Sequence, residues 1–216
     1  MFGAVGPIDK VLWALIIVLV VGFLAGSWLN RQRSKAIGQW LQDGLVALGG
    51  RTTWKWLRGM NSGAQVTVEA ASKPFRRLEI SYFMLTRELL PLWGIEWLRG
   101  KRDLMAVRGE LREAPKCEVE VVPAQGNLRQ ALDAHVEAGP ITWEDGPHGL
   151  SIGARNGNAS ELAGRLRLFL ERYGPAVQRL SLRSRQPNLV LFIHVSGLEG
   201  GTAGDFVRGL RKAVGD

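Results

Sequence analysis

The sequence predicts an α+β fold: a single N-terminal transmembrane helix followed by a cytosolic domain, an antiparallel sheet with helices mainly on one face. A run of 20 uncharged residues, Val11 to Asn30, lies between Lys10 and Arg31. Beyond it, stretches alternating apolar and polar residues come in pairs around turn residues, and helical stripes with spacings of three and four fall between the pairs. Strand pairs alternating with helices build an antiparallel sheet with helices laid on it. The 216 residues are 46% hydrophobic and 22% charged, which excludes a disordered tail or a low-complexity fibre.

The apolar run, VLWALIIVLVVGFLAGSWLN, makes a helix of about 30 Å, the thickness of a bilayer's hydrocarbon core. Trp13 and Trp28 stand near its ends, where indole rings favour the headgroup region. A cleaved signal peptide would need a shorter apolar stretch and a better small-residue site than Leu24–Ser27. Asp9 and Lys10 cancel before the run, whereas Arg31, Arg33 and Lys35 follow it. The positive-inside rule then leaves residues 1–10 as a short external tail and puts residue 31 onward in the cytoplasm. A lone cysteine, Cys117, suits a reducing compartment and excludes an intrachain disulfide framework.

Residues 31–60 read as basic juxtamembrane helices. Ile37, Trp40, Leu41, Leu45 and Leu48 form one apolar stripe, Gly49–Gly50 ends it, and the transmembrane helix can run into it unbroken. Thr53 to Leu57, with Trp54 and Trp56 between Lys55 and Arg58, reads as a capping helix under the domain; base stacking or a membrane-interface seat is the alternative. The globular domain is expected over 61–216. Gln65–Glu69 and Leu78–Met84 are strands joined at Ser72–Lys73–Pro74. Leu85–Leu98 is apolar but interrupted by Pro91 and Gly94, so it is a short broken helix or a membrane-facing loop. Its Trp93 and Trp97 make it the candidate for a second contact with lipid or another membrane protein. Leu104–Leu111 and Cys117–Val122 read as a hairpin, then Leu128–Val136 as a helix. Ile141–Glu144 and Leu150–Ala154 pair across a Gly-Pro turn. A helix capped by Asn158 or Ser160 runs to Tyr173, Val177–Arg183 and Leu189–Val195 form the next hairpin, and Phe206, Leu210 and Val214 lie on a last helix.

The net charge of +8 is placed unevenly. Residues 31–112 carry 15 Lys and Arg against 7 Asp and Glu, and residues 113–216 carry 12 of each. The basic half next to the membrane suits an anionic partner, either lipid headgroups or RNA phosphates. The candidate contacts are Arg31, Arg33, Lys35, Arg51, Lys55, Arg58, Arg76, Arg77, Arg99, Lys101 and Arg102, with Trp13, Trp28, Trp93 and Trp97 at the membrane interface.

No reaction can be read from the chain. His135, His148 and His194 fit no ligand spacing, Cys117 has no local base, and Gly197–Gly204 lacks the lysine of a phosphate loop. No catalytic, metal or cofactor residue is assigned, and no small-molecule substrate is identified.

The span followed by Asn30–Trp40 (NRQRSKAIGQW), then Lys101–Met105 (KRDLM), Phe169–Gly174 (FLERYG) and the closing strand Leu189–Ile193 resembles the calumin family of endoplasmic reticulum proteins, subunits of the PAT complex. The likeness covers residues 11–196, as of a minimal distant relative. It implies a non-enzymatic, ribosome- and translocon-associated scaffold or chaperone that helps multipass proteins insert. The family's acidic lumenal region and charged C-terminal coiled coil have no counterpart in these residues, which leaves any RNA contact to the membrane-proximal basic half. The other function expected is an anchored adaptor that binds anionic lipid or a partner membrane protein without the ribosome.

Overall fold

The computed structural model describes residues 6–57, 62–133, 140–155, 160–198 and 200–215. The first helix, α1, is Pro7–Leu48, 42 residues and about 63 Å long. Pro7 suits its first turn, and the Asp9 carboxylate accepts the Gly6 N–H at 3.0 Å. Apart from buried Gly22 and Gly26 and half-buried Ser27, its N-terminal half is exposed from Val11 to Leu29 and is long and apolar enough to cross a membrane. From Asn30 onward a stripe at helical spacing is buried: Asn30, Ser34, Ile37, Leu41, Leu45 and Leu48. The juxtamembrane stripe and the apolar run are one unbroken helix. Gly49 and Gly50 end it with φ of +60° and +80°, and a Cβ on Gly50 would meet the Glu69 carbonyl oxygen at 2.3 Å.

Two expectations are corrected. Residues Arg51–Trp56 form a strand, β1, where a capping helix was expected. Thr52, Thr53, Trp54 and Trp56 favour a pleated surface, and the two glycines turn the chain back so that β1 falls beside β2, Gly63–Glu69. Arg58 lies outside the described residues. The sheet continues through β3 (Phe75–Phe83), β4 (Leu104–Leu111), β5 (Glu118–Pro123), β6 (Thr142–Asp145), β7 (Leu150–Arg155), β8 (Val177–Leu182) and β9 (Leu189–His194). Among the described residues the nine strands stand in the order β1-β2-β3-β4-β9-β8-β5-β7-β6. Every neighbouring pair is antiparallel. The hairpins β2–β3, β6–β7 and β8–β9 form as the sequence predicts. The β4–β5 hairpin does not, because β4 is flanked by β3 and β9, and β5 by β8 and β7. The Leu111 N–H goes instead to Asn188 Oδ1, just before β9, at 3.0 Å.

On one face of the sheet the buried stripe of α1 packs with α4 (Ser160–Tyr173) and α5 (Ala203–Val214) over Val66, Ile80, Tyr82, Val107, Leu180 and Leu191. Trp40, Phe169, Tyr173 and Phe206 meet there with ring centroids 5.0–6.0 Å apart. Thr202 caps α5 by accepting the Asp205 N–H at 3.0 Å. The expected cap at Asn158 lies outside the described residues. The third helix, α3, is Asn127–Asp133, and its Leu128 shares a groove with Phe192 and His194, outward-facing residues of β9. The remainder of the helix expected to Val136 lies outside the described residues.

Helix α1 runs along the strands. Ser34 Oγ meets the Tyr82 hydroxyl at 2.9 Å, and the Leu48 carbonyl accepts the Ser72 N–H at 2.7 Å. One end of the sheet therefore lies beside the end of the apolar half of α1, and the other beside Leu48.

Candidate functional site

At the junction of the apolar half of α1 and the sheet, the chain from β3 to β4 makes an excursion fastened by a buried polar knot. Asn30, Arg87 and Asp103 are 0%, 8% and 5% exposed. Asn30 Nδ2 donates to the Leu85 carbonyl at 2.9 Å, and Arg87 donates to Asn30 Oδ1 at 2.6 Å and to Asp103 Oδ2 at 2.8 Å. Asp103 also accepts the Leu85 N–H at 2.8 Å and Arg33 Nη1 at 3.1 Å. A buried charge this well partnered rigidifies its surroundings, whereas one missing a partner is costly.

Beyond the knot the chain climbs along α1 toward its N-terminus. A Cβ on Gly26 would sit 2.0 Å from the Arg87 carbonyl oxygen, and one on Gly22 would sit 2.7 Å from Leu90. From the level of Asn30 to that of Gly22 is about 12 Å. Helix α2, Leu90–Leu98, then brings the chain back, so that Trp93 and Trp97 share a cavity with Leu29 and Arg33. None of its residues is buried, and Leu90, Leu92, Ile95, Trp97 and Leu98 are exposed beside the equally exposed apolar half of α1. A contiguous apolar surface of this kind marks a membrane or protein contact. The broken helix expected at Leu85–Leu98 is thus a hairpin with one ordered helical arm.

The candidate basic residues divide between the two ends of the sheet. Arg102 follows α2 and shares a cavity with Arg33, Arg99 and Lys101 line the adjoining groove with Leu128 and His194, and Arg31 and Lys35 are exposed on the neighbouring turns of α1. Lys101 pairs with Glu96 at 2.8 Å, and the Arg102 guanidinium lies 5.4 Å over the Trp97 ring. Lys55, opposite Gln65, is nearer this end than Arg51, which stands opposite Glu69. Arg77 faces Glu110 at 3.9 Å at the far end of β3 with Arg76, about 20 Å from Phe83. Trp13 and Trp28 are exposed on α1, about 22 Å apart along its axis. The knot itself escaped the sequence reading. Asn30 and Asp103 are unremarkable alone, and their partners are 16 to 70 residues away in the chain.

The potential catalytic groups are dispersed. His148 Nε2 is 3.0 Å from the Glu171 carbonyl, Cys117 precedes β5 at the far end of the sheet, and His135 lies outside the described residues. Among the described residues no group of three His, Cys, Asp or Glu side chains could hold a metal ion. Burial pushes the Tyr82 hydroxyl up, against its bond to Ser34. Burial lowers His194 below its ordinary 6.5, helped by the Arg102 charge and opposed by a backbone bond to Asp103. The folded state thus disfavours the imidazolium, so its stability is full above pH 6.5 and is lost as pH falls from there through the folded pKa. His194→Gln is expected to flatten the pH dependence of the melting temperature below about pH 6.5, and an unchanged profile would remove this assignment.

No protein-family model matches the chain, and no curated protein matches it significantly.

Proposed function

We propose that this is a non-enzymatic, membrane-anchored scaffold or chaperone module that receives hydrophobic segments of other membrane proteins on the face formed by α2 and the apolar half of α1. Its first ten residues lie outside, and the domain lies in the cytoplasm. The observation that carries this reading is the apolar α2, packed through Leu90 on Gly22, tethered by the Arg87–Glu88 backbone at Gly26 and by the buried knot, and left uncovered among the described residues. At about 14 Å, α2 is too short to span a bilayer, but it can enter one because a helix satisfies its own backbone. Leu90, Leu92, Ile95 and Leu98 together would make a water-exposed surface unfavourable by several kcal/mol at about 1.5–3 kcal/mol per fully buried side chain. Lipid or another hydrophobic helix removes that penalty.

The cations support the same placement. Arg31, Arg33, Lys35 and Arg102 form a belt at the end of the apolar half, with Arg99 and Lys101 in the groove behind Arg102, and each surface cation there gains about 1 kcal/mol from anionic headgroups. The resemblance to the calumin family adds a role near the ribosome and translocon, the belt being the surface available to RNA. The belt also favours a second reading, an adaptor held to anionic lipid or to one membrane partner with no ribosome involved. No cofactor and no small-molecule substrate enters either reading.

Photo-crosslinkers at Leu92 or Ile95 of the full-length protein, presented with stalled ribosomes bearing nascent chains of increasing length, test the proposal. Adducts to the nascent transmembrane segment are expected once that segment has left the ribosome, and none from a crosslinker at Arg76. Their absence at every length, with no ribosome co-sedimentation at low salt, would sink the chaperone reading and leave the adaptor.

A further inference from the structure

A cavity of about 350 Å³ opens between the end of the apolar half of α1, α2 and the turn after β9. Leu29 and Trp97 form its apolar wall, and Arg33 and Arg102 bring two guanidinium groups to it. The Trp93 indole also lines it, and its Nε1–H is buried with no hydrogen-bond partner. That N–H is closed off by its neighbours, so the polar donors the cavity presents are the guanidinium groups. Asp103 borders the cavity but is already engaged by Arg87, Arg33 and the Leu85 N–H. Against that one carboxylate stand Arg33, Arg87 and Arg102, an excess of positive charge. An acceptor-only, negatively charged group fits these donors, and guanidinium groups pair with phosphate oxygens in two-pronged fashion.

The position selects the source of the phosphate. Leu29 is the last apolar residue of α1 before buried Asn30, so the cavity stands at headgroup level if Val11–Leu29 spans the hydrocarbon. Acyl chains leaving it would run along exposed α2 and α1, surfaces that an inorganic ion does not use. We infer that the cavity binds the phosphate of an anionic phospholipid, with Arg33 and Arg102 supplying donors and charge and Leu29 and Trp97 the apolar wall beside it. The inference rests on α1 spanning a bilayer and is independent of which protein partner is received.

The test uses full-length protein released from nanodiscs of equal parts phosphatidylglycerol and phosphatidylcholine, with retained lipid counted by native mass spectrometry. One phosphatidylglycerol is expected to be retained in preference to phosphatidylcholine. Arg33→Gln removes one of the two guanidinium groups and should lower that retention roughly tenfold. Arg102→Gln, at an exposed position, should lower it likewise even if Arg33→Gln loosens the bond to Asp103, and Arg76→Gln should change nothing. Equal retention of both lipids, or wild-type retention in both cavity variants, overturns the inference. Displacement of the lipid by inorganic phosphate overturns it in favour of a free anion. A protein that fails to enter nanodiscs at all refutes the span itself, a result distinct from entry without preference.

Discussion

Asp103→Ala is expected to destabilise the full-length protein by about 3–5 kcal/mol, the cost of leaving a buried charge without its partner. The charge in question is Arg87, 8% exposed, whose guanidinium would keep only Asn30. The Leu85 N–H loses its acceptor in the same step, and Arg33 is released. Asp103→Asn should cost less, since an amide oxygen can still accept from Leu85 while the charge is lost. Arg87→Leu in the Asp103→Leu background should recover part of the loss, because replacing both partners of a buried pair with apolar groups removes the desolvation problem along with the attraction. Thermal unfolding of the detergent-solubilised protein, run as a double-mutant cycle, reads all of this. A wild-type melt for Asp103→Ala, or single effects that simply add, would mean that the knot does not hold the hairpin.

The knot also shows what local pattern conveys and what it does not. The apolar half of α1, the stripe from Ile37 to Leu48 and the hairpins β2–β3, β6–β7 and β8–β9 are legible because each is written in a period of 3.6 or 2 or in a short turn. Helices α4 and α5 are legible for the same reason. The partner of β4 is not: its neighbour β9 lies some 80 residues on, and nothing in Leu104–Leu111 distinguishes an antiparallel β9 from the next strand in sequence. The same limit applied to β1, where two tryptophans at spacing two suit a strand, but a helical stripe immediately before them suggested a second helix. At the candidate site the tryptophans and cations after α2 were visible as types, whereas their assembly was not. Arg33 drew attention as a free cation, yet one of its N–H groups belongs to Asp103. Arg76 and Arg77 have the same composition as Arg99 and Arg102 but stand at the opposite end of the strands, which only the register of β3 with β4 reveals.

Gly26→Val should release the hairpin from α1 while leaving the sheet intact. An added Cβ at Gly26 would fall 2.0 Å from the Arg87 carbonyl oxygen and 2.8 Å from the Glu88 nitrogen, backbone atoms that cannot swing aside as a side chain can. Small residues at such a crossing let two backbones approach, as they do where helices meet inside membranes. Overpacking of this kind costs about 1–3 kcal/mol, which shifts a docked–undocked equilibrium by roughly 5–150-fold. The Arg87–Glu88 bond reports the shift, because Arg87 is held in the knot when docked and becomes available to trypsin when the hairpin lifts away. Cleavage there should accelerate by that factor as long as opening and closing outpace proteolysis. Gly38→Ala supplies the control: its Cβ meets nothing within 4 Å, so that variant should keep the slow cleavage rate and gain up to about 1 kcal/mol of helix stability. Equal cleavage rates after Arg87 in Gly26→Val and Gly38→Ala would show that the close approach at Gly26 does not fasten the hairpin, and the apolar face of α2 would then have no fixed position beside α1 from which to receive a partner.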